Sequence, residues 1–160
     1  MNNAASPEQR LLDLGYVLPA PVGTRFSYLP VQVHGATAYV AGIIPKLPGD
    51  VMLRTGIPGV DLTLADAREC ARLCSLQALA WIRDAAGGLG RVERILRLNG
   101  YVQVGATRSG HMSEIIDAAS ELFIAAFGED GRHPRSVLGV AELPRFSPVM
   151  IDLMVALRPA

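Results

Sequence analysis

The chain has 160 residues, half of them hydrophobic and 19% charged, which fits one globular domain with a substantial core and excludes a disordered polymer. Lys plus Arg equals Asp plus Glu at 15 each, and no run of like charge occurs, so the basic footprint of a nucleic-acid binder is missing. No apolar stretch is long enough to span a bilayer, and the polar start, Met1 to Gln9, lacks the form of a signal peptide; a cytoplasmic protein without membrane contact is expected.

In chain order, Met1 to Leu18 reads as an N-terminal extension with a partial helix at Glu8 to Leu14, before Pro19, Pro21 and Gly23 break regular structure. Strands are expected at Arg25 to Val33 and Thr37 to Ala41, with His34-Gly35-Ala36 as a hairpin turn. Pro45 to Gly59 reads as a loop with one short strand at Val51 to Arg54. The clearest helix is Asp61 to Ala86: Thr63 and Asp66 form a capping box, Ala67, Cys70, Cys74, Trp81 and Ala85 share a face, and Gly87-Gly88 ends it. Cys70 and Cys74, four apart on that face, read as small buried side chains and not as a disulfide or zinc pair.

Arg91 to Val104 reads as a long strand with a bulge at Gly100. A second helix, Ser109 to Phe127, presents Ile115, Ile116, Ala119, Leu122, Phe123, Ala126 and Phe127, and ends at Gly128. The last strands are Ser136 to Leu143 and Val149 to Leu157, joined by Pro144 to Pro148. The expected fold is α+β, a mixed sheet with two helices on one face. Val149 to Val155 is apolar almost throughout, so the sheet's second face calls for cover, most simply by another subunit.

The run Tyr39-Val40-Ala41-Gly42-Ile43-Ile44-Pro45 with Pro48-Gly49, and the more specific run Arg132-His133-Pro134-Arg135-Ser136-Val137 through Val140-Ala141-Glu142-Leu143-Pro144, resemble the two signatures of the RidA (YjgF-like) family. The resemblance covers about Pro19 to Leu157 and takes in the whole chain as a single RidA-like domain. It implies a chorismate-mutase-like fold and a homotrimer with ligand clefts between subunits. It also implies hydrolysis of reactive enamines and imines such as 2-aminoacrylate to 2-oxo acids and ammonia, with no cofactor or metal; some members also carry a ribonuclease description.

Carried over residue by residue, Arg135 matches the arginine that grips the substrate carboxylate and is the expected catalytic and binding residue, with Ser136 beside it. A guanidinium suits that task because its planar fork offers paired donors and stays charged. Tyr28 matches a cleft-lining tyrosine, although packing would equally explain it. Gly42 matches the glycine that lets a ligand approach the backbone, and Ala41 stands where the family has serine. Met150 stands where deaminating members carry a water-positioning glutamate; Asp152 and Glu142 are the nearby carboxylates.

His133 reads as ordering its turn, with general base as the sharper alternative; His34 and His111 read as surface residues, and three scattered histidines make no metal site. Asp117 reads as a solvated helix-face carboxylate, and Met154, like Met150, as core filler. Gly56 to Gly59 and Gly87 to Gly90 lack the ending of a phosphate loop. Two functions follow: an imine/enamine deaminase, or a non-catalytic binder of a small carboxylate such as a 2-oxo acid. An endoribonuclease is the weaker third, given the neutral charge and the absence of paired histidines.

Overall fold

A computed structural model describes residues 5–106 and 111–159. Its five-stranded mixed sheet runs β1 (Val31–His34), β2 (Thr37–Ile43), β7 (Val149–Leu157), β5 (Val92–Gln103) and β6 (Arg135–Val140) in spatial order. All neighbours are antiparallel except β5 and β6. A small hairpin of β3 (Lys46–Leu47) and β4 (Val51–Met52) stands beside it. Helix α2 (Leu64–Ala86) packs over β2 and β7, and α3 (Met112–Phe127) over β5 and β6, giving the α+β layering expected.

Alternation along β7 explains why both helices share one face. Val149, Ile151, Leu153, Val155 and Leu157 are buried against the helices, while Met150, Asp152 and Ala156, part-covered, and Met154, exposed, alternate onto the open face. Helix α2 lies close to the sheet because its inner face is small: Ala67, Cys70, Ala71, Cys74 and Ala78 have no exposed surface. Thr63 Oγ1 accepts the Asp66 N–H and the Asp66 carboxylate accepts the Thr63 N–H, both at 3.1 Å, so the expected capping box is formed. Gly87, at φ +79°, closes the other end with its N–H on the Arg83 carbonyl. The two cysteines are free thiols in this packing; burial pushes Cys70 up to about 12 and Cys74 well above the ordinary range.

The N-terminal segment is docked. In α1 (Pro7–Asp13) Leu11 is fully buried, Arg10 donates to the Ala126 carbonyl (3.2 Å) and Glu8 accepts the Leu89 N–H (3.1 Å).

Several expectations are corrected. Regular pairing starts at Val31 and not at Arg25, because Tyr28 N–H turns back to the Phe26 carbonyl (2.8 Å) and Thr24 Oγ1 donates to the Tyr28 carbonyl (2.9 Å), spending locally the groups a ladder would need. The Pro45 to Gly59 loop contains the β3–β4 hairpin, whose strands are too short to show a period. Strand β6 spans Arg135–Val140, short of Leu143, whose N–H instead meets the Gln103 side chain at 2.9 Å. The irregularities of β5 fall at Val92/Arg94 and Ile95/Arg97, not at Gly100. Gly100 serves helix packing: a Cβ there would lie 2.6–2.8 Å from three atoms of the fully buried Ile116. The proposed helix start at Ser109 lies outside the described residues, and α3 is seen from Met112. No helix among the described residues is long and apolar enough to cross a membrane.

Candidate functional site

A cavity of about 460 Å³ opens where β2 runs out into the β3–β4 hairpin. Gly42, Ile43 and Met150 form its floor, Trp81 and Gln77 come from α2, and Phe26 and Tyr28 from the segment before β1. Helix and loops are tied together here: Trp81 Nε1 donates to the Val22 carbonyl at 2.9 Å, and the Gln77 amide donates to the Lys46 carbonyl. The Met150 sulfur lies 2.9 Å from where a Cβ on Gly42 would be, so glycine is what lets this methionine sit over β2. One wall is charged. Asp50 receives Lys46 Nζ at 3.0 Å, Arg145 Nη1 at 3.0 Å and Arg25 Nη1 at 3.3 Å, while Arg145 Nη2 donates to the Asp50 carbonyl at 2.9 Å. The Lys46 hydrogen bond, with the fields of Lys46, Arg145 and Arg25, lowers the Asp50 carboxyl below its ordinary value.

Arg135 lies elsewhere. It opens β6, at the sheet edge, and turns toward α3, where Nη1 donates to Asp117 Oδ1 (2.8 Å) and Ser120 Oγ (3.0 Å) and Nη2 to the Ser113 carbonyl (3.2 Å). Asp117, expected to be merely solvated, is thus the partner of this arginine while remaining half-exposed. Ser120 also contacts His133 Nε2 at 3.0 Å, and His133 Nδ1 lies 2.6 Å from the Gly131 carbonyl. A carbonyl can only accept, so Nδ1 carries the proton and Nε2 accepts from the Ser120 hydroxyl. Burial lowers the His133 pKa, with Arg135 adding to that effect against the Gly131 hydrogen bond. His133 therefore orders its turn.

On the open sheet face, cross-strand register builds a second polar row. Asp152 pairs across to Asn99, and Asn99 to Ser136. Asn99 Nδ2 and the Tyr101 hydroxyl donate to the two Asp152 oxygens at 2.7 and 3.0 Å, and Arg97 bridges Asn99 Oδ1 (3.1 Å) to Ser136 Oγ (2.6 Å). Desolvation, reinforced by Asp152, raises the Tyr101 pKa. Tyr39 and Met154, partners across β2 and β7, are exposed beside this row.

The residues singled out in the sequence thus fall into groups. Tyr28, Gly42 and Met150 share the cavity, with Ala41 preceding Gly42 on β2. Arg135 stands at the far edge, separated from β2 by β7 and β5, which at sheet spacing is about 14 Å. Ser136 points away from it, into the Arg97 network. Sequence reasoning missed Arg25, Lys46, Asp50 and Arg145; their only sequence signal is a charge in each of three separated loops. Among the described residues no cluster of three His, Cys, Asp or Glu could hold a metal.

A sheet backed by two helices, an open polar face and a cavity at the end of β2 define a small α+β protein of the chorismate-mutase-like kind. Comparison with known proteins agrees: residues 8–157 match the family described as "YjgF/chorismate_mutase-like, putative endoribonuclease". The chain belongs to that family. It is 36% identical over 146 residues to Protein TCP17 of Trypanosoma cruzi, covering 90% of this chain and 89% of that one. The crystal structure of a "putative endoribonuclease" from Shewanella oneidensis superposes with TM-score 0.90 and 31% identity, over 96% of this chain and 100% of that one. RidA from the Antarctic bacterium Psychrobacter, at 21% identity, TM-score 0.61 and coverage of 89% and 97%, shares the fold.

Proposed function

We propose that this protein assembles as a homotrimer and promotes hydrolysis of small 2-imino or 2-enamino acids, releasing a 2-oxo acid and ammonia, at pockets between neighbouring copies. The observation that carries this is the division of the signature residues. Tyr28, Gly42 and Met150 line a cavity in one chain, while Arg135 sits on the opposite sheet edge, too far to reach it. A neighbouring copy that lays its β6 edge beside the cavity unites them and covers Tyr39 and Met154.

In the reaction, Arg135 of the neighbouring copy holds the substrate carboxylate; an enamino acid first tautomerises to the imine, its N–H proton exchanged for one gained at C3, and water then adds to the imine carbon. The carbinolamine then expels ammonia and leaves the 2-oxo acid. An imine carbon is already electrophilic, so orientation and electrostatic help supply the acceleration. Met150 offers no proton acceptor, and Asp50 is committed to its three cations.

That same deficit favours a second reading, a binder that holds a small carboxylate without turning it over. Ribonuclease gains no support here, because among the described residues no histidine lines the cavity. The deciding experiment generates 2-aminoacrylate in situ and follows 2-oxo acid release. Acceleration that depends on Arg135 establishes the deaminase; carboxylate binding without acceleration establishes the binder.

A further inference from the structure

The charged wall of the cavity has more capacity than its internal partner uses. An ammonium offers three N–H donors and a guanidinium five. Lys46 spends one on Asp50, Arg145 spends two on Asp50, and Arg25 reaches the same carboxylate from a largely exposed position. Three cations face one carboxylate, so the wall keeps a positive excess. The backbone around it is strained: Asp50, Arg145 and Phe146 have φ of +63°, +60° and +55°, and they are the non-glycine residues with positive φ among those described. Strain of this kind persists where surrounding contacts hold a functional arrangement in place. The apolar side chains of Trp81, Phe26, Ile43 and Met150 line the same cavity, and they lower the local dielectric and strengthen any ion pair made inside. The cavity, about 460 Å³, falls in the range of roughly 300–1,000 Å³ that accepts ligands much larger than a three-carbon amino acid.

We propose that Arg25, Lys46 and Arg145 form a second anion subsite, so that the preferred ligand carries a terminal carboxylate on an apolar spacer in addition to the carboxylate held by Arg135. The ligand class is a 2-imino, 2-enamino or 2-oxo dicarboxylate. The inference rests on the function proposed above for the first carboxylate, and adds the recognition of the second. Asp50 keeps the cations gathered when the subsite is empty, and its single charge leaves room for another.

The test compares 2-oxoadipate with 2-oxohexanoate, equal in chain length and differing in the terminal carboxylate, by calorimetry on the full-length protein. A charge-assisted contact should make 2-oxoadipate at least about tenfold tighter, and the ratio should shrink as salt is raised. In Lys46→Met, which keeps the carbonyl that Gln77 bonds, and in Arg25→Met, at an exposed position, the ratio should fall toward one. A purely structural ion cluster would lower the melting temperature and leave the ratio alone. Equal affinities in the wild type, no binding of either ligand, or a ratio retained in both variants overturns the proposal. Equal affinities accompanied by 2-aminoacrylate turnover would leave the deaminase standing without the subsite, and a wild-type preference for 2-oxoadipate that is lost in the two variants, without turnover, would leave the subsite standing without the deaminase.

Discussion

If Arg135 holds the substrate carboxylate as proposed, Asp117 competes with that carboxylate for the guanidinium's donors, and Asp117→Asn exposes the competition. In the free chain Arg135 Nη1 is 2.8 Å from Asp117 Oδ1, with the two side chains 25% and 52% exposed. A pair this open to water is worth about 0.2–1 kcal/mol, so removing the charge should improve binding of a small 2-oxo acid by only about 1.5- to 5-fold. Arg135→Ala should act in the opposite direction and more strongly, by about 2–5 kcal/mol if the bound pair is desolvated between subunits. Arg135→Lys should restore part of that, since an ammonium lacks the planar fork. Calorimetry with 2-oxobutyrate reads all three, with light scattering confirming that assembly is unchanged. If Asp117→Asn weakens binding, Asp117 belongs to the ligand's own contacts and not to its competitors. If Arg135→Ala leaves the titration as it was, the arginine serves only to tie β6 to α3.

Light scattering at micromolar concentration should give about three times 17.1 kDa; a stable monomer would sink the shared pocket. Gly100→Ala should cost about 1–3 kcal/mol through collision with Ile116, and the loss should be partly relieved in the Gly100→Ala/Ile116→Ala pair, as a double-mutant cycle of melting at fixed protein concentration would show. His133 has a folded pKa below its ordinary 6.5, so the unfolded chain binds the proton more readily. Its contribution to stability is complete above about 6.5 and declines as pH falls through the folded value; the slope of melting temperature against pH in that window should flatten in His133→Gln. Met150→Glu places a carboxylate over Gly42 in the cavity, and a well-placed one is worth up to about 10²- to 10⁴-fold in turnover. A folded, assembled variant with no activity, from a wild type equally inactive, favours the binder.

Contiguous signals were the ones sequence reasoning could use. The Thr63–Asp66 box and the Gly87 stop are each set by neighbours within a few positions, and each is found where expected, whereas the in-and-out alternation of β7 was hidden by side chains that are apolar on both faces. The Arg132 to Val137 run was legible for the same reason, but its letters say nothing of which side of β6 the Arg135 side chain takes. That is fixed by α3, through Ser113, Asp117 and Ser120. Gly100 was misread because a bulge and a close helix contact leave the same mark on a strand, a missing side chain, and only the position of Ile116 separates them.

The charged wall was illegible for a deeper reason. Arg25, Lys46 with Asp50, and Arg145 come from segments with no common period, and Arg145 adopts a backbone conformation that glycine would normally signal. What gathers them is the docking of the β3–β4 hairpin against α2, through the Gln77 contact to Lys46, and the turn that brings Pro144 to Phe146 back beside Asp50. The family signature contributes Gly42 to the cavity and supplies Arg135, the proposed carboxylate anchor, outside it; the charged wall belongs to loops whose composition carries no such signature. On the proposed reading, discrimination among ligands falls to side chains outside the signature, with Lys46 and Arg145 lining the cavity that a longer ligand would have to enter.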